Sequence, residues 1–219
     1  MFDLHTHSIF SDGELIPSEL IRRAVFNGYD AIAITDHVDF TNVEYVLGGL
    51  KKLEYVSKLE IVIGVEITHV PPAKIEKLVN IAKGLGAELI VVHGETLVEP
   101  VESGTNRAAV SNPEVDILAH PGLISAEEVE MAKDKGVYLE ISSRRGHCLA
   151  NGHVASISQA VGAKLVLNSD LHSPDDFLTE DLGAKILAGA GLDHEEVKRV
   201  LHENPRELVG RIEHVHGTV

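Results

Sequence analysis

Residues 89–94, Leu89-Ile90-Val91-Val92-His93-Gly94, are apolar at four successive positions and then stop at a histidine and a glycine. A run apolar at every position, and not at every second one, suits a parallel strand covered on both faces. The same pattern recurs along the chain. Met1–His5, Ala31–Thr35, Ile61–Glu66, Leu89–His93, Val115–His120, Val137–Ile141 and Leu165–Asn168 all read as strands of this kind. Helical stretches lie between them. Pro17-Ser18-Glu19 opens one that stops near Asn27-Gly28, and Pro71-Pro72 opens one that stops near Gly84-Leu85-Gly86. Ser125-Ala126-Glu127-Glu128 has the form of a capping box, and Asn151-Gly152-His153 is placed to cap the following helix.

About seven β-then-α units without a linker predict a parallel α/β fold in a single domain over residues 1–219. No glycine-rich phosphate loop follows the first strand, which disfavours an open dinucleotide-binding sheet. Polar residues gather instead after almost every strand, as they must around one rim of a closed barrel. The expected architecture is therefore a distorted TIM-like (β/α)7 barrel. Two helical stretches near the end, divided by Gly189-Ala190-Gly191, form a closing element at about 182–210, with Asp193 capping the second. Residues 212–219 read as a frayed tail.

The chain carries a formal net charge of −15, which disfavours grip on a long polyanion. A small anionic substrate is compatible with that charge if bound cations reverse the potential in one pocket. No apolar run is long enough to span a membrane, and no secretory leader is expected at Met1-Phe2-Asp3. A lone Cys148 fits a reducing, cytoplasmic setting.

Thirteen histidines, against no tryptophan, are the unusual feature of the composition. Histidine is the commonest transition-metal ligand. The strand ends give His5-Thr6-His7 with Ser11-Asp12-Gly13 behind it, then Thr35-Asp36-His37, Glu66, His93-Gly94, His120-Pro121 and Ser169-Asp170-Leu171-His172. In His5-x-His7 and Asp170-x-His172, alternate residues of an extended segment face the same way and can reach one centre. Imidazole with carboxylate suits Zn, Mn or Fe. Nine candidate ligands exceed the needs of one ion and suit two or three, with Glu66 able to bridge. Such clusters generate hydroxide near neutral pH and polarise phosphoryl oxygens. His69, His153, His194, His202, His214 and His216 stand alone and read as packing or hydrogen-bonding residues.

This ordered set, from His5-Thr6-His7-Ser8 to Ser169-Asp170-Leu171-His172, resembles the motifs of the PHP (polymerase and histidinol phosphatase) superfamily. The resemblance covers most of the chain. It implies a distorted barrel, a trinuclear metal centre and hydrolysis of phosphate esters. Carried over by position, one metal would take His5, His7, Glu66 and Asp170. A second would share Glu66 and add His93 and His120. A third would take Asp12, His37 and His172. Asp36 is unmatched and reads as a carboxylate orienting an imidazole.

After the sixth strand the pattern changes to Ser142-Ser143-Arg144-Arg145-Gly146-His147. Arg144 and Arg145 suit a phosphate clamp, and His147 a proton donor to the leaving alkoxide. Glu140 reads as buried support, and Asn106-Arg107 as a further anion contact. The expected activity is a metal-dependent phosphatase of a small phosphomonoester, of the histidinol-phosphatase kind. The alternatives are a nucleotide or oligonucleotide phosphodiesterase, an amidohydrolase-type enzyme, and a non-catalytic metal-binding module.

Overall fold

The computed structural model describes residues 1–55 and 58–212. Its strands are β1 (Phe2–Asp3), β2 (Ala31–Ile34), β3 (His37–Val38), β4 (Glu60–Ile67), β5 (Leu89–His93), β6 (Ile117–Ala119), β7 (Tyr138–Ser142) and β8 (Leu165–Asn168). All pairings are parallel, in the order β1-β2-β4-β5-β6-β7-β8, so seven strands form the barrel wall. The short β3 continues the line of β2 and pairs with the end of β4, His37 opposite Glu66. It lies beyond the strand expected there.

The ring closes between β8 and β1, and side chains do much of the closing. One bridge, Thr6 to Leu171, and the bond from His7 N to Leu171 O (2.8 Å) supply the backbone link. Nearby, Leu4 N donates to Asn168 Oδ1 at 2.9 Å. The buried Asp3 carboxylate accepts from Ser169 N at 3.1 Å and from the Ser169 hydroxyl. Burial outweighs these bonds and pushes the Asp3 carboxyl up to about 7.

Helices α1 (Pro17–Phe26), α2 (Val43–Leu50), α3 (Pro72–Gly84), α4 (Thr105–Val110), α5 (Ala126–Lys135), α6 (Asn151–Val161) and α7 (Glu180–Gly189) cover the outside. Proline opens α1 and α3 where its missing N–H costs no bond. Ser125 and Glu128 form the capping box of α5. Asn151 does not cap α6. It is the first residue of that helix, and its side chain accepts from Ser142 N (3.2 Å) and donates to Ser142 O (2.8 Å), tying α6 to β7.

The strands bury both faces, which explains their continuous apolarity. One alternating set, including Ile32, Ile34, Ile90, Val92 and Leu139, packs in the large core under the helices. The other, including Phe2, Leu4, Val62, Leu89, Val91, Tyr138 and Val166, forms a separate cluster within the barrel. The closing element is α8 (His194–Lys198), a π-helical turn over Arg199–Glu203, and α9 (Asn204–Val209). Asp193 caps α8 through Glu196 N.

Leu208 and Val209 of α9 join the inner cluster. Asn204 donates to Leu165 O (2.7 Å), Arg206 lies over the Phe2 ring, and Arg211 bonds the Tyr138 hydroxyl (3.0 Å). Each partner begins its strand, so α9 stoppers the N-terminal mouth and leaves the C-terminal mouth to the histidines. No helix among the described residues is long and apolar enough to cross a membrane. Leu208→Ala should therefore cost about 2–5 kcal/mol. That loss would be read as a fall in the urea midpoint, and an unchanged midpoint would mean that α9 is not a stopper.

Candidate metal centre

The C-terminal ends of the strands deliver the nine expected ligands to one place. His5 and His7 follow β1, Asp12 lies in the next loop, and His37 is in β3. Glu66 is in β4, His93 ends β5, His120 follows β6, and Asp170 and His172 follow β8. Two of them hold unusual backbone, His120 at φ 26° and Asp170 at φ 54°. Non-glycine residues at positive φ are uncommon and concentrate at functional sites. Gly94, next to His93, is required by space. A Cβ there would lie 2.2 Å from Ala119 O and 2.8 Å from Pro121 Cα.

Glu66 stands at the centre, fully buried. Its Oε2 lies 3.3 Å from His5 Nε2 and 3.6 Å from His7 Nε2, and its Oε1 lies 3.6 Å from His120 Nε2. The two oxygens thus face different imidazoles, as a bridging carboxylate must. Asp170 Oδ1 lies 3.3 Å from His7 Nε2, and Asp170 Oδ2 3.8 Å from His120 Nε2. Asp12 Oδ1 lies 3.2 Å from His172 Nε2 and 3.6 Å from His37 Nε2. Within each of the groups His7-Asp12-His37-His172, His5-His7-Asp170 and Glu66-His93-His120, the ligand atoms lie within 4.8 Å of one another.

The outer nitrogens of several rings are fixed by neighbours. His5 Nδ1 bonds Glu140 Oε2 at 2.8 Å, and Glu140 also accepts from Asn168 Nδ2 (2.9 Å) and His120 N (3.3 Å). His37 Nδ1 bonds Thr68 Oγ1 (2.7 Å), and His172 Nδ1 bonds Asp170 O (2.8 Å). Such bonds orient imidazoles toward a metal. Asp36 has a different role from the one expected of it. It accepts from Ser8 N, Ser8 Oγ and Ser11 Oγ, each at 2.7 Å, and from Ser11 N at 3.1 Å. It pins the turn that carries Asp12, and Glu140 is the carboxylate that orients an imidazole.

Six buried polar atoms at the centre have no hydrogen-bond partner among the described residues: His5 Nε2, both nitrogens of His7, both oxygens of Glu66 and His120 Nδ1. Although Glu66 Oε2 is 2.6 Å from His37 Nδ1, that nitrogen directs its bond to Thr68. Orphaned donors and acceptors in one buried cluster are costly unless a cation compensates them. The electrostatics agree. Burial disfavours the His5 imidazolium, yet Glu66, Glu140 and Asp170 outweigh it and raise His5 well above the ordinary histidine range. Burial also opposes ionisation of Glu66, but His5 and His37 hold it well below the usual carboxylate range. For Asp12, the bond and charge of His172 and the charge of His37 overcome burial and bring it down to about 2. The site demands positive charge, and His, Asp and Glu donors fit divalent Zn, Mn or Fe.

A cavity of 290 Å³ opens onto this cluster, lined among others by Arg144, His147, His69 and Glu99. Arg144 Nη1 donates to Asp170 O (3.1 Å), and its Nε lies 3.6 Å from Asp170 Oδ2. Arg145 is exposed and is not among the lining residues. His147 is buried, with Nδ1 2.7 Å from Thr96 Oγ1. Burial, and then the charge of His120, lower its pKa to about 3. Arg107 is spent on Glu127 (2.8 Å), and Asn106 anchors loops by donating to Pro121 O (2.7 Å), so neither lines the cavity. His153 bonds Ile124 O (2.7 Å) and His202 approaches Glu180 (3.1 Å), as packing residues do. His214 and His216 lie outside the described residues.

Sequence reasoning missed Glu99 and set His69 aside. Both lie at the mouth, with Glu99 Oε2 3.0 Å from His93 Nε2 and 3.6 Å from His69 Nε2.

A parallel barrel that gathers histidines and carboxylates at its C-terminal mouth defines a recognisable class, and comparison with known proteins gives it a name. The family model described as PHP domain matches residues 3–92. The chain is 48% identical over 218 residues to an uncharacterized protein of Methanocaldococcus jannaschii, covering 96% of this chain and 99% of that one. It is 30% identical to a probable phosphatase of Caldanaerobacter subterraneus, covering 96% and 94%. The chain belongs to the PHP family. Among solved structures, a chain of archaeal ribonuclease P with mature tRNA shares the fold at TM-score 0.70 and 15% identity, covering 99% of each chain. The histidinol phosphate phosphatase of Lactococcus lactis, complexed with zinc, L-histidinol and phosphate, shares it at 0.61 and 17%, covering 88% and 94%.

Zinc or manganese added to chelator-stripped protein should raise its thermal midpoint. At a free concentration 100-fold above Kd the gain would be about 2.7 kcal/mol per site. Glu66→Ala should abolish most of that gain in a melting experiment. A metal-dependent gain of full size in this variant would remove Glu66 from the centre.

Proposed function

We propose that the protein hydrolyses a small phosphomonoester with two or three divalent ions held at the barrel mouth. The observation that carries this reading is the buried Glu66, whose two unbonded oxygens face separate imidazoles. His5, His7, Glu66 and Asp170 would hold one ion, Glu66, His93 and His120 a second, and Asp12, His37 and His172 a third. Ions so placed lower the pKa of water and polarise phosphoryl oxygens.

The chain's own groups supply the rest. Arg144 is the one arginine or lysine lining the cavity among the described residues, so it is the fixed cation for a phosphate. His147, kept neutral by burial and tied through Nδ1 to Thr96 Oγ1, turns its Nε2 edge to the cavity, where it can bond a leaving oxygen. The cavity volume and the charge of −15 favour a small anion over a polymer. Supporting the reading further are the relatives described as probable phosphatases and the fold likeness to histidinol phosphate phosphatase.

A second reading is cleavage of a phosphodiester at a nucleic-acid end. It draws support from relatives named as ribonuclease P protein component 3 and as a DNA polymerase/3'-5' exonuclease. One assay separates the two: phosphomonoesters and diesters tested in parallel after loading with each metal. Monoester turnover supports the phosphatase, and diester cleavage alone supports the second reading.

Arg144→Ala should lose about 1.5–3 kcal/mol of substrate binding. That is roughly a ten- to hundredfold rise in KM, with metal stoichiometry unchanged. Unaltered kinetics would end the clamp role of Arg144.

A further inference from the structure

The loop between β5 and α4 brings a carboxylate to the cavity that none of the nine ligand positions includes. Its base is fixed. Glu95 Oε1 accepts from Gly104 N (2.9 Å) and Asn106 N (3.0 Å), closing the loop's two ends on one another. Glu95 N donates back to Asn106 Oδ1 (2.9 Å), and Thr96 Oγ1 is tied to His147 Nδ1 (2.7 Å). Beyond Thr96 the tip lies at the surface, with Leu97 and Val98 about half exposed. From this tip the Glu99 side chain turns inward. Oε2 lies 3.0 Å from His93 Nε2, and Oε1 lies 3.5 Å from His147 Nε2.

His93 Nε2 is the decisive atom. Its Nδ1 bonds Gly94 O at 3.1 Å, so Nε2 is the nitrogen left to face a metal. His93 is shared by the possible ligand groups Glu66-His93-His120 and His69-His93-Glu99. A single imidazole lone pair serves one ion, so the two groups cannot both be filled through that nitrogen. Three protein ligands with one open position is the pattern of a catalytic ion, whereas four close its shell. Glu99 brings its carboxylate to His93 from the cavity side.

We infer that Glu99 is a displaceable fourth ligand of the ion held by Glu66, His93 and His120, occupying the position that an incoming phosphate must take. The inference rests on the metal binding proposed above. Phosphate displaces the carboxylate in a simple ligand exchange, one anionic oxygen for another, with no bond of the protein made or broken. Glu99 lies on the surface tip, outside the hydrogen-bonded base of the loop, so its side chain can leave without moving the strands. The arrangement stabilises the ion in the resting state and weakens phosphate binding, since a ligand position held by the protein is open for only a fraction of the time.

The test compares the whole chain with Glu99→Gln and His69→Ala, each stripped, reloaded with zinc and followed by titration calorimetry, with circular dichroism to confirm folding. In Glu99→Gln one ion should bind about tenfold more weakly. Inorganic phosphate should bind the zinc-saturated variant about tenfold more tightly than it binds wild type. His69→Ala should leave both constants unchanged. Weaker zinc without tighter phosphate would make Glu99 a permanent ligand and overturn the exchange. Unchanged zinc affinity would reduce Glu99 to a hydrogen-bond partner of His93. An equal loss of zinc in His69→Ala would replace the inference with a peripheral His69-His93-Glu99 position. Wild-type protein that takes up no zinc would fail the metal reading itself, a result distinct from all of these.

Discussion

Glu66 is a fully buried carboxylate with no hydrogen bond to either oxygen among the described residues, and the rest of the site is arranged around that charge. An ion taken out of water costs several kcal/mol unless opposite charge is brought to it. Glu66, Glu140 and Asp170 push His5 well up, and His5 and His37 in turn hold Glu66 well down. A divalent cation would answer the same demand with more charge and with bonds to the orphaned atoms. The barrel wall makes the arrangement possible, because parallel strands end at one mouth and each contributes a side chain from its own direction.

The second layer is fitted to the first. Glu140 holds the far side of His5, supports Asn168 and receives the amide of His120, so three strands are registered by one carboxylate. Asp36 does the same for the Ser8–Ser11 turn. These groups carry the positional accuracy that a cluster of histidines on separate loops would otherwise lack.

Much of this was legible in the sequence because both signals are local. Leu89–His93 and Leu165–Asn168 are strands over the same residues that their apolar runs indicate. The elements that escaped are those whose cause is tertiary. His37–Val38 is too short to leave a pattern, and pairs because β4 runs beside it. Helix α2 contains Gly48 and Gly49, and the Phe10 ring packs against the second. Glu99 sits in an irregular loop before Pro100, and only the folded path of residues 94–104 shows where its carboxylate goes. Arg144 and Arg145 are neighbours of one type, and only the chain's course at the end of β7 distinguishes the cavity from solvent.

The β8–β1 seam has a consequence for how the molecule is assembled. The wall there has few backbone bonds and leans on Asn168 and Asp3. His5 and His7 stand on one side of it, and Asp170 and His172 on the other. An ion shared across that line would act as a clasp between the first and last strands, closing a loop that contains nearly the whole barrel. Cross-links that close long loops remove the most freedom from the unfolded chain. The centre could then form only after Asp170 had been synthesised, well after His5 and His7.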